Sequence, residues 1–330
     1  MGCIHPRRAS IRQTFFGRRA VRIFYISLLL VQFLPGWSTT VEAETPVGTR
    51  QPHTLVYARI GTDPREQYPP TKRMVDHVAA RLRQDGIERG EALLAKDGSQ
   101  LLQWMQSGRA DWVTVTPMLA LKLQQQAQAK WLLRRWKNGV SEYRTLFITR
   151  KESPIQTLTD LRGGRVALEN ASSTSGFLLP VAAMQQHALL PVPLTALSDA
   201  LPAEKTGYWF SGSVHSTAAR VAKGTADAGA ISDQEWLSDE MPEILRRELR
   251  IFYQTDPVPR SIEVVRPDLP AELQRHLQEY LLRAHEDVEA IDILKAFENT
   301  TRFDRLPDQA MAILQEVDAA LQRVQSAARP

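Results

Sequence analysis

Four hydroxyl side chains stand together in mid-chain, in the segment Asn170-Ala-Ser-Ser-Thr-Ser-Gly-Phe177. The segment lies between a predicted strand and a predicted helix, so its backbone N–H groups begin the helix without intrahelical acceptors. A helix N-terminus carries partial positive charge and can donate several hydrogen bonds to one oxyanion. Ser173, Thr174 and Ser175 add hydroxyl donors, and Gly176 lets a ligand approach the backbone closely. Taken alone, the segment indicates either an anion site or an ordinary helix cap, because Ser and Thr are preferred N-cap residues.

Two further turns repeat this layout of strand, polar turn and helix. One contains His215, whose ring is placed to donate to an anion, although a lone His is more often a surface or structural residue. The other contains Thr116, immediately before Pro117 at the start of a predicted helix. Because ligands of open α/β sheets bind beyond the carboxyl ends of the strands, we expect the three turns to converge on one cleft. Hydroxyl and amide donors would then hold an anion there without a full positive charge.

The elements that must position these turns alternate along the chain, which predicts an α/β fold with largely parallel sheets. The predicted strands are 55–60, 91–95, 112–115, 143–149, 165–168, 208–211, 226–231 and 262–265. The predicted helices are 72–83, 100–107, 117–126, 173–187, 215–223, 270–284, 288–298 and 308–326.

Two strand-like crossings, near 143–149 and 251–265, bracket a middle block of the chain. A chain that crosses to a second lobe and returns forms a hinge, and ligands bind in the cleft between such lobes. We therefore predict a discontinuous first lobe, 54–143 plus 255–330, and a second lobe, 144–254.

Four sequence blocks, in order and at suitable spacing, resemble the periplasmic phosphate/phosphite/phosphonate-binding proteins of ABC importers. The resemblance extends over about residues 55–325. The blocks are Ser107–Asp111 with Thr116-Pro117; Asp160–Leu168 with Ser173-Thr-Ser-Gly176 and Pro180; His215 with Val221–Gly229; and Pro257-Val-Pro259 with Arg266-Pro-Asp-Leu-Pro270.

The resemblance implies a two-lobed, type II periplasmic-binding-protein-like fold whose lobes close about a hinge. It also implies that Ser173, Thr174 and Ser175 bind a phosphonate, phosphite or phosphate, with His215 as a further contact. Aromatic contacts are expected near the first strand and near the first crossing, and Tyr68 and Tyr143 are the candidates. The implied partner is an ABC permease in the inner membrane; a membrane sensor kinase or other receptor is the alternative.

The sequence departs from the family pattern in ways that leave the ligand open. The segment Gly61–Tyr68 does not follow it cleanly, and Val214 is unusual beside His215. Carboxylates for a ligand amine cannot be assigned, although Asp233 and Glu235 are nearest in sequence. An aminoalkylphosphonate is therefore not favoured over phosphite or phosphate.

Residues 1–43 have the pattern of an export signal. A basic segment ends at Arg22, an apolar run covers 23–34, and Val41-Glu-Ala43 offers small residues for cleavage. The run is short for a bilayer-spanning helix, so we expect a cleavable signal and a periplasmic protein, with an uncleaved anchor as the alternative. Arg18-Arg19 leaves the twin-arginine route open beside the general one. The only cysteine, Cys3, lies in this leader, so the mature chain would contain no disulfide.

The net charge of +4 also originates in the leader, which holds six arginines and one acid. The remaining residues hold 35 Lys and Arg against 36 Asp and Glu, which argues against nucleic acid as a partner. We interpret Trp131 and Trp136, with two arginines between them, as a solvated strand with buried indoles and not as a base-stacking surface.

An enzyme is not indicated by the sequence. It contains neither a G-x-S-x-G elbow, nor a P-loop, nor Cys/His spacing suited to a metal. Ser175 and His215 could be considered a nucleophile and a base, but both are better explained as anion donors. We therefore predict a monomeric binding protein without metal or cofactor.

Overall fold

The structure, a computed structural model, describes residues 53–327 except 197 and 240. The predicted export signal and Cys3 lie outside the described residues. Two six-stranded sheets and the helices packed on them make up the described part of the chain.

The first sheet has strand order β14-β4-β13-β3-β1-β2. Its strands β1, β2 and β3 are parallel, whereas β13 runs antiparallel to β3 and β4, and β14 runs antiparallel to β4. In chain order the strands are β1 Thr54–Ile60, β2 Arg89–Ala95, β3 Trp112–Val115, β4 Lys130–Lys137, β13 Ile262–Val265 and β14 Thr300–Asp304.

The second sheet has strand order β11-β6-β10-β7-β9-β8. Its strands β10, β7, β9 and β8 are parallel, and β6 runs antiparallel to β10 and β11. These strands are β6 Thr145–Arg150, β7 Arg165–Leu168, β8 Pro191–Pro193, β9 Thr206–Phe210, β10 Ala228–Ser232 and β11 Leu249–Gln254. The antiparallel pairs involve the strands next to the crossings, so the sheets are less uniformly parallel than the sequence predicts.

A two-stranded antiparallel ribbon joins the sheets. It consists of β5 (Glu142–Tyr143) and β12 (Val258–Pro259), and Tyr143 pairs with Val258. The chain passes from β4 through β5 to β6, and returns from β11 through β12 to β13. This double crossing confirms the predicted two-lobed architecture with a hinge, while the domain boundaries proposed from the sequence stay a prediction.

The helices cover the faces of both sheets. They are α1 Pro64–Arg81, α2 Gly98–Gln106, α3 Pro117–Ala127, α4 Leu179–Gln186, α5 Val214–Ala222, α6 Asp233–Leu237, α7 Glu243–Glu248, α8 Ala271–Arg283, α9 Ile291–Ala296 and α10 Asp308–Ala327. A π-helical turn, Thr174–Leu178, precedes α4 directly. No helix among the described residues combines the length and the apolar character needed to cross a membrane.

Helix α1 begins eight residues before its predicted start. Asp63 caps it by accepting hydrogen bonds from the N–H groups of Arg65 and Glu66. The helix continues through Pro69 and Pro70, which cannot donate to the carbonyls four residues earlier. Those carbonyls belong to Arg65 and Glu66, whose exposure leaves them accessible to water.

Strand β4 corrects the interpretation of the tryptophan-flanked arginines. Its neighbours are β13 on one side and β14 on the other, so it is an interior strand of the sheet. Arg134 and Arg135 are buried, and the indoles of Trp131 and Trp136 are only partly covered. Arg134 is stabilised by two carboxylates, Asp304 on β14 and Glu142 on β5. The arginines thus belong to the interior, the reverse of the predicted arrangement.

Candidate ligand-binding site

A cavity of about 520 Å³ lies where both sheets meet the hinge ribbon. It is lined from the ends of the first sheet, from the ribbon, and from the carboxyl ends of β7 and β10 in the second sheet. The lining residues are Thr116, Lys137, Asn138, Tyr143, Glu169, Asn170, Ser172, Ser173, Thr174, Ser175, Ser232, Gln234, Glu235, Ser238, Arg260 and Ser261. All of them are polar, so the cavity suits a ligand that forms many hydrogen bonds.

The serine turn, which we define as Ser172–Ser175, begins the helix that continues into α4. Ser173 caps this helix, since its Oγ accepts the Gly176 N–H at 2.9 Å. The next two N–H groups, of Thr174 and Ser175, have no acceptor within the described part of the chain. The Ser175 hydroxyl also has no partner among these residues. The segment is therefore a helix cap and an array of free donors at the same time.

Thr174 connects the serine turn to helix α3. It is 2% exposed, and its Oγ1 accepts the Met118 N–H of α3 at 2.9 Å. Helix α3 follows Thr116, an exposed residue that also lines the cavity. The structure thus brings Thr116 and the serine turn to one cavity, beside the contact between α3 and Thr174.

Tyr143 reaches the cavity from the hinge ribbon. Its side chain is buried, and this burial raises the pKa of the phenol well above its ordinary value. The Thr174 hydroxyl and the Arg260 guanidinium oppose this rise in pKa without cancelling it. Tyr143 therefore stays protonated and can donate a hydrogen bond at any physiological pH.

Arg260 places a full positive charge at the cavity, which differs from the expectation of neutral donors alone. It follows the ribbon strand β12, and its Nη1 donates to the Lys137 carbonyl at 3.0 Å. Among the described residues, no carboxylate lies within 4.0 Å of its guanidinium. Burial lowers the pKa of Arg260, yet an arginine remains charged in proteins. Lys137 is a second cation on the lining, and it pairs with Glu298 at 2.8 Å.

Two carboxylates, Glu169 and Glu235, also line the cavity. One oxygen of Glu235, Oε2, accepts the N–H and hydroxyl of Ser232 in a capping box at the start of α6. Asp233, the other carboxylate suggested by the sequence, does not line the cavity and accepts the Arg144 N–H. No cluster of three or more His, Cys, Asp or Glu residues suited to a metal occurs in the described part of the chain.

Three residues named from the sequence do not line this cavity: Tyr68, His215 and Gly176. Tyr68 lies on α1 and is 43% exposed, because Asp63 starts this helix early. His215 is exposed in the first turn of α5. Gly176 is buried, and a Cβ there would lie 2.5 Å from the Glu169 Cβ, so its position requires a glycine for packing. A role of these residues in ligand binding stays a prediction.

Sequence reasoning missed Arg260 and Lys137 at the cavity, although both stand beside recognisable signals. Arg260 follows the Pro257-Val-Pro259 crossing, and residues next to a hinge crossing border the cleft. Lys137 precedes Asn138 and Gly139, both with positive φ, in a typical tight-turn pair that ends β4. The turn places the end of β4 at the cleft.

The family model for the "ABC transporter, phosphonate, periplasmic substrate-binding protein" matches residues 60–311 of the chain. Among solved structures, XAC2383 from Xanthomonas citri is 38% identical, over 83% of this chain and 99% of that one, with a TM-score of 0.75; it is bound to chloride. A second structure of XAC2383, bound to ATP, is 37% identical over 83% and 98% of the two chains, with a TM-score of 0.74. PhnD1 from Prochlorococcus marinus, in complex with methylphosphonate, is 19% identical over 82% and 99%, with a TM-score of 0.57, and shares the fold.

Two sheets joined by a double crossing, with a polar cavity at the hinge, define a type II periplasmic binding protein. The chain belongs to the family of periplasmic substrate-binding proteins of phosphonate ABC transporters, which confirms the resemblance found in the sequence. Membership implies a small-molecule ligand, a membrane permease as partner and an extracytoplasmic location. The family is one of transport proteins and not a class of enzymes.

Proposed function

We propose that the protein captures a phosphorus oxyanion (phosphonate, phosphite or phosphate) in the cleft between its lobes and presents it to an ABC permease. The observation that carries this proposal is the pair of free N–H groups on Thr174 and Ser175 at the wall of an entirely polar cavity. A tetrahedral oxyanion has several acceptor oxygens and can bind both N–H groups together with the Ser175 hydroxyl.

The remaining donors suit the charge and shape of such a group. Thr116 and Tyr143 add hydroxyls from the other side of the cavity, and Arg260 adds an unpaired positive charge. Hydrogen bonds to a charged partner contribute about 1.5–3 kcal/mol each. Closure of the lobes would exclude water and strengthen each of these bonds. The permease would then recognise the closed form.

The phosphorus oxyanion that binds at the serine turn can also be part of a larger molecule. The cavity, at about 520 Å³, falls within the roughly 300–1,000 Å³ of sites that hold drug-sized ligands. A relative that is 37% identical binds ATP, whose phosphates are also phosphorus oxyanions. We therefore include phosphate esters such as nucleotides among the candidate ligands. We further propose that the protein acts in the periplasm as a monomer and leaves the ligand chemically unchanged.

The test is calorimetry of the purified protein with phosphate, phosphite, methylphosphonate, AMP and methanesulfonate. We expect at least one phosphorus compound to bind below the millimolar range, and methanesulfonate to bind more weakly. The substitution Ser173→Ala should lower the affinity about tenfold or more, because it removes a hydroxyl and loosens the helix start.

Ser213→Ala is the matched control, since Ser213 caps α5 in the same way but does not line the cavity. Both substitutions remove an N-cap and should lower stability similarly, by about 1 kcal/mol. If none of the phosphorus compounds binds, or if Ser173→Ala binds like Ser213→Ala, the proposed site is wrong.

A further inference from the structure

A second cavity, of about 170 Å³, adjoins the first on the side of the first sheet. The two share three lining residues, Thr116, Lys137 and Ser261, so they lie side by side. The second cavity is lined further by Arg59, Ile60, Thr114, Val115, Leu119, Arg135 and Glu298. The proposed function assigns no role to this space.

Positive charge exceeds negative charge around the second cavity. Three cations bind one carboxylate: Glu298 accepts from Arg59 at 2.7 Å, from Arg135 at 2.6 Å and from Lys137 at 2.8 Å. The pKa of Glu298 lies far below its ordinary value, because these cations outweigh the effect of burial. A single carboxylate thus faces three positive charges.

A second carboxylate, Glu263 on β13, offsets this surplus only in part. It is fully buried, accepts hydrogen bonds from Trp112 and Thr114, and lies 3.8 Å from the Nε of Arg135. Burial raises its pKa to about 7, so the carboxylate is partly neutral near physiological pH. The three cations therefore exceed the two carboxylates by at least one positive charge, in a partly buried cluster where an unmatched charge is costly.

Arg135 also has a donor that nothing satisfies. Its side chain is 3% exposed, and among the described residues no acceptor lies within hydrogen-bond distance of its Nε. Glu263 lies near this donor but beyond hydrogen-bond distance, and buried arginine N–H groups are usually hydrogen-bonded, so the donor favours a further acceptor in the adjoining cavity.

We propose that this second cavity, called here the lobe-one subsite, binds a second phosphoryl group of the same ligand. The inference rests on the proposed function, which places the first phosphorus group at the serine turn. Lys137 lines both cavities and stands between the two groups. The protein would then select ligands with two linked phosphoryl groups over ligands with one.

Phosphate and pyrophosphate test the lobe-one subsite, because they differ by one phosphoryl group. We expect the unaltered protein to bind pyrophosphate at least tenfold more tightly than phosphate, with one molecule per chain. Arg59→Gln should remove most of this difference and change phosphate affinity less than threefold, because Arg59 lines the second cavity but not the first. Glu298 would keep Arg135 and Lys137 as partners in this variant, so the fold should persist.

Arg89→Gln is the control on the neighbouring strand β2, because Arg89 is exposed and lines neither cavity. Equal affinity for phosphate and pyrophosphate would overturn the subsite and leave the serine-turn proposal intact. Binding of two phosphate ions per chain, with no higher affinity for pyrophosphate, would show that the two cavities bind separate anions. This result would also overturn the inference. If neither phosphate nor pyrophosphate binds to the unaltered protein, the result would instead contradict the proposed site at the serine turn.

Discussion

At the scale of single residues, the serine turn both caps a helix and presents free hydrogen-bond donors to the cavity. The oxygen of Ser173 accepts the Gly176 N–H and so fixes the start of the helix, while its O–H remains a donor. Thr174 and Ser175 then follow with free N–H groups whose direction the helix fixes. A cap that orders the backbone therefore also orders the donors, and little conformational freedom remains to be lost on binding.

Arg260 should supply the charge that neutral donors lack. We expect Arg260→Gln to lower the affinity for a phosphorus oxyanion by about 10- to 100-fold, because a hydrogen bond to a charged group contributes about 1.5–3 kcal/mol. The dependence of affinity on salt should weaken as well, since one charge of the site is gone. Calorimetry at two salt concentrations measures both effects.

Arg144→Gln serves as the control for this substitution. Arg144 also lies beside a hinge crossing, but it does not line the cavity. A tenfold loss in both variants would mean that Arg260 acts through the hinge and not through contact with the ligand.

At the scale of elements, the sequence predicted the strands that are regular and apolar. Strands β1, β3 and β7 and helix α3 lie within one or two residues of their predicted bounds. In each of them, the hydrophobic period and the flanking turn residues predict the same bounds. Strands β8 and β14 were missed. Strand β8 has three residues, two of them proline, and β14 carries Arg302 and Asp304, so no apolar alternation marks either strand.

The candidate site was predictable where a local signal coincides with its function. The serine turn combines a cap signal with clustered hydroxyls, and Thr116 precedes a helix-starting proline; both line the cavity. Lys137 and Arg260 reach it only because β4 ends at the cleft and the chain crosses the hinge. Such positions depend on the tertiary arrangement, which one sequence does not reveal residue by residue.

Asp111 and Arg266 belong to the sequence blocks that resemble the family, and they form an ion pair with each other. The Arg266 Nε lies 2.7 Å from the Asp111 Oδ1, and the other carboxylate oxygen accepts the Val56 N–H. The pair is buried and connects β1 and β3 to the end of β13. It therefore holds the returning chain in the first sheet.

Asp111→Asn should destabilise the protein by about 3 kcal/mol, because it leaves a buried arginine without its buried charged partner. For a chain of this size we expect the melting temperature to fall by roughly 6–12 °C. Asp268→Asn is the matched control, since Asp268 also pairs with Arg266 but is 64% exposed, and its loss should cost at most about 1 kcal/mol. Equal shifts in differential scanning calorimetry would contradict the structural role of Asp111.

At the scale of the whole molecule, the two lobes touch along more than the hinge. One hydrophobic core contains residues of both sheets, and helix α10 packs against α3 from the first-sheet side and α4 from the second. The polar contact between Met118 and Thr174 lies next to the cavity. Since Thr174 belongs to the serine turn, the proposed ligand site and the contact between the lobes share this residue.

This coupling predicts that Thr174→Val opens the cleft. Valine matches threonine in shape but cannot accept the Met118 N–H, and leaving that group unpaired costs about 1–3 kcal/mol in the closed form. We expect small-angle X-ray scattering to show a larger radius of gyration for Thr174→Val than for the unaltered protein, with saturating phosphate as well as without it. Thr174→Ser keeps the acceptor and should behave like the unaltered protein. Equal radii for the valine and serine variants would show that this hydrogen bond does not hold the lobes together, and closure would then depend on the ligand and the apolar contacts alone.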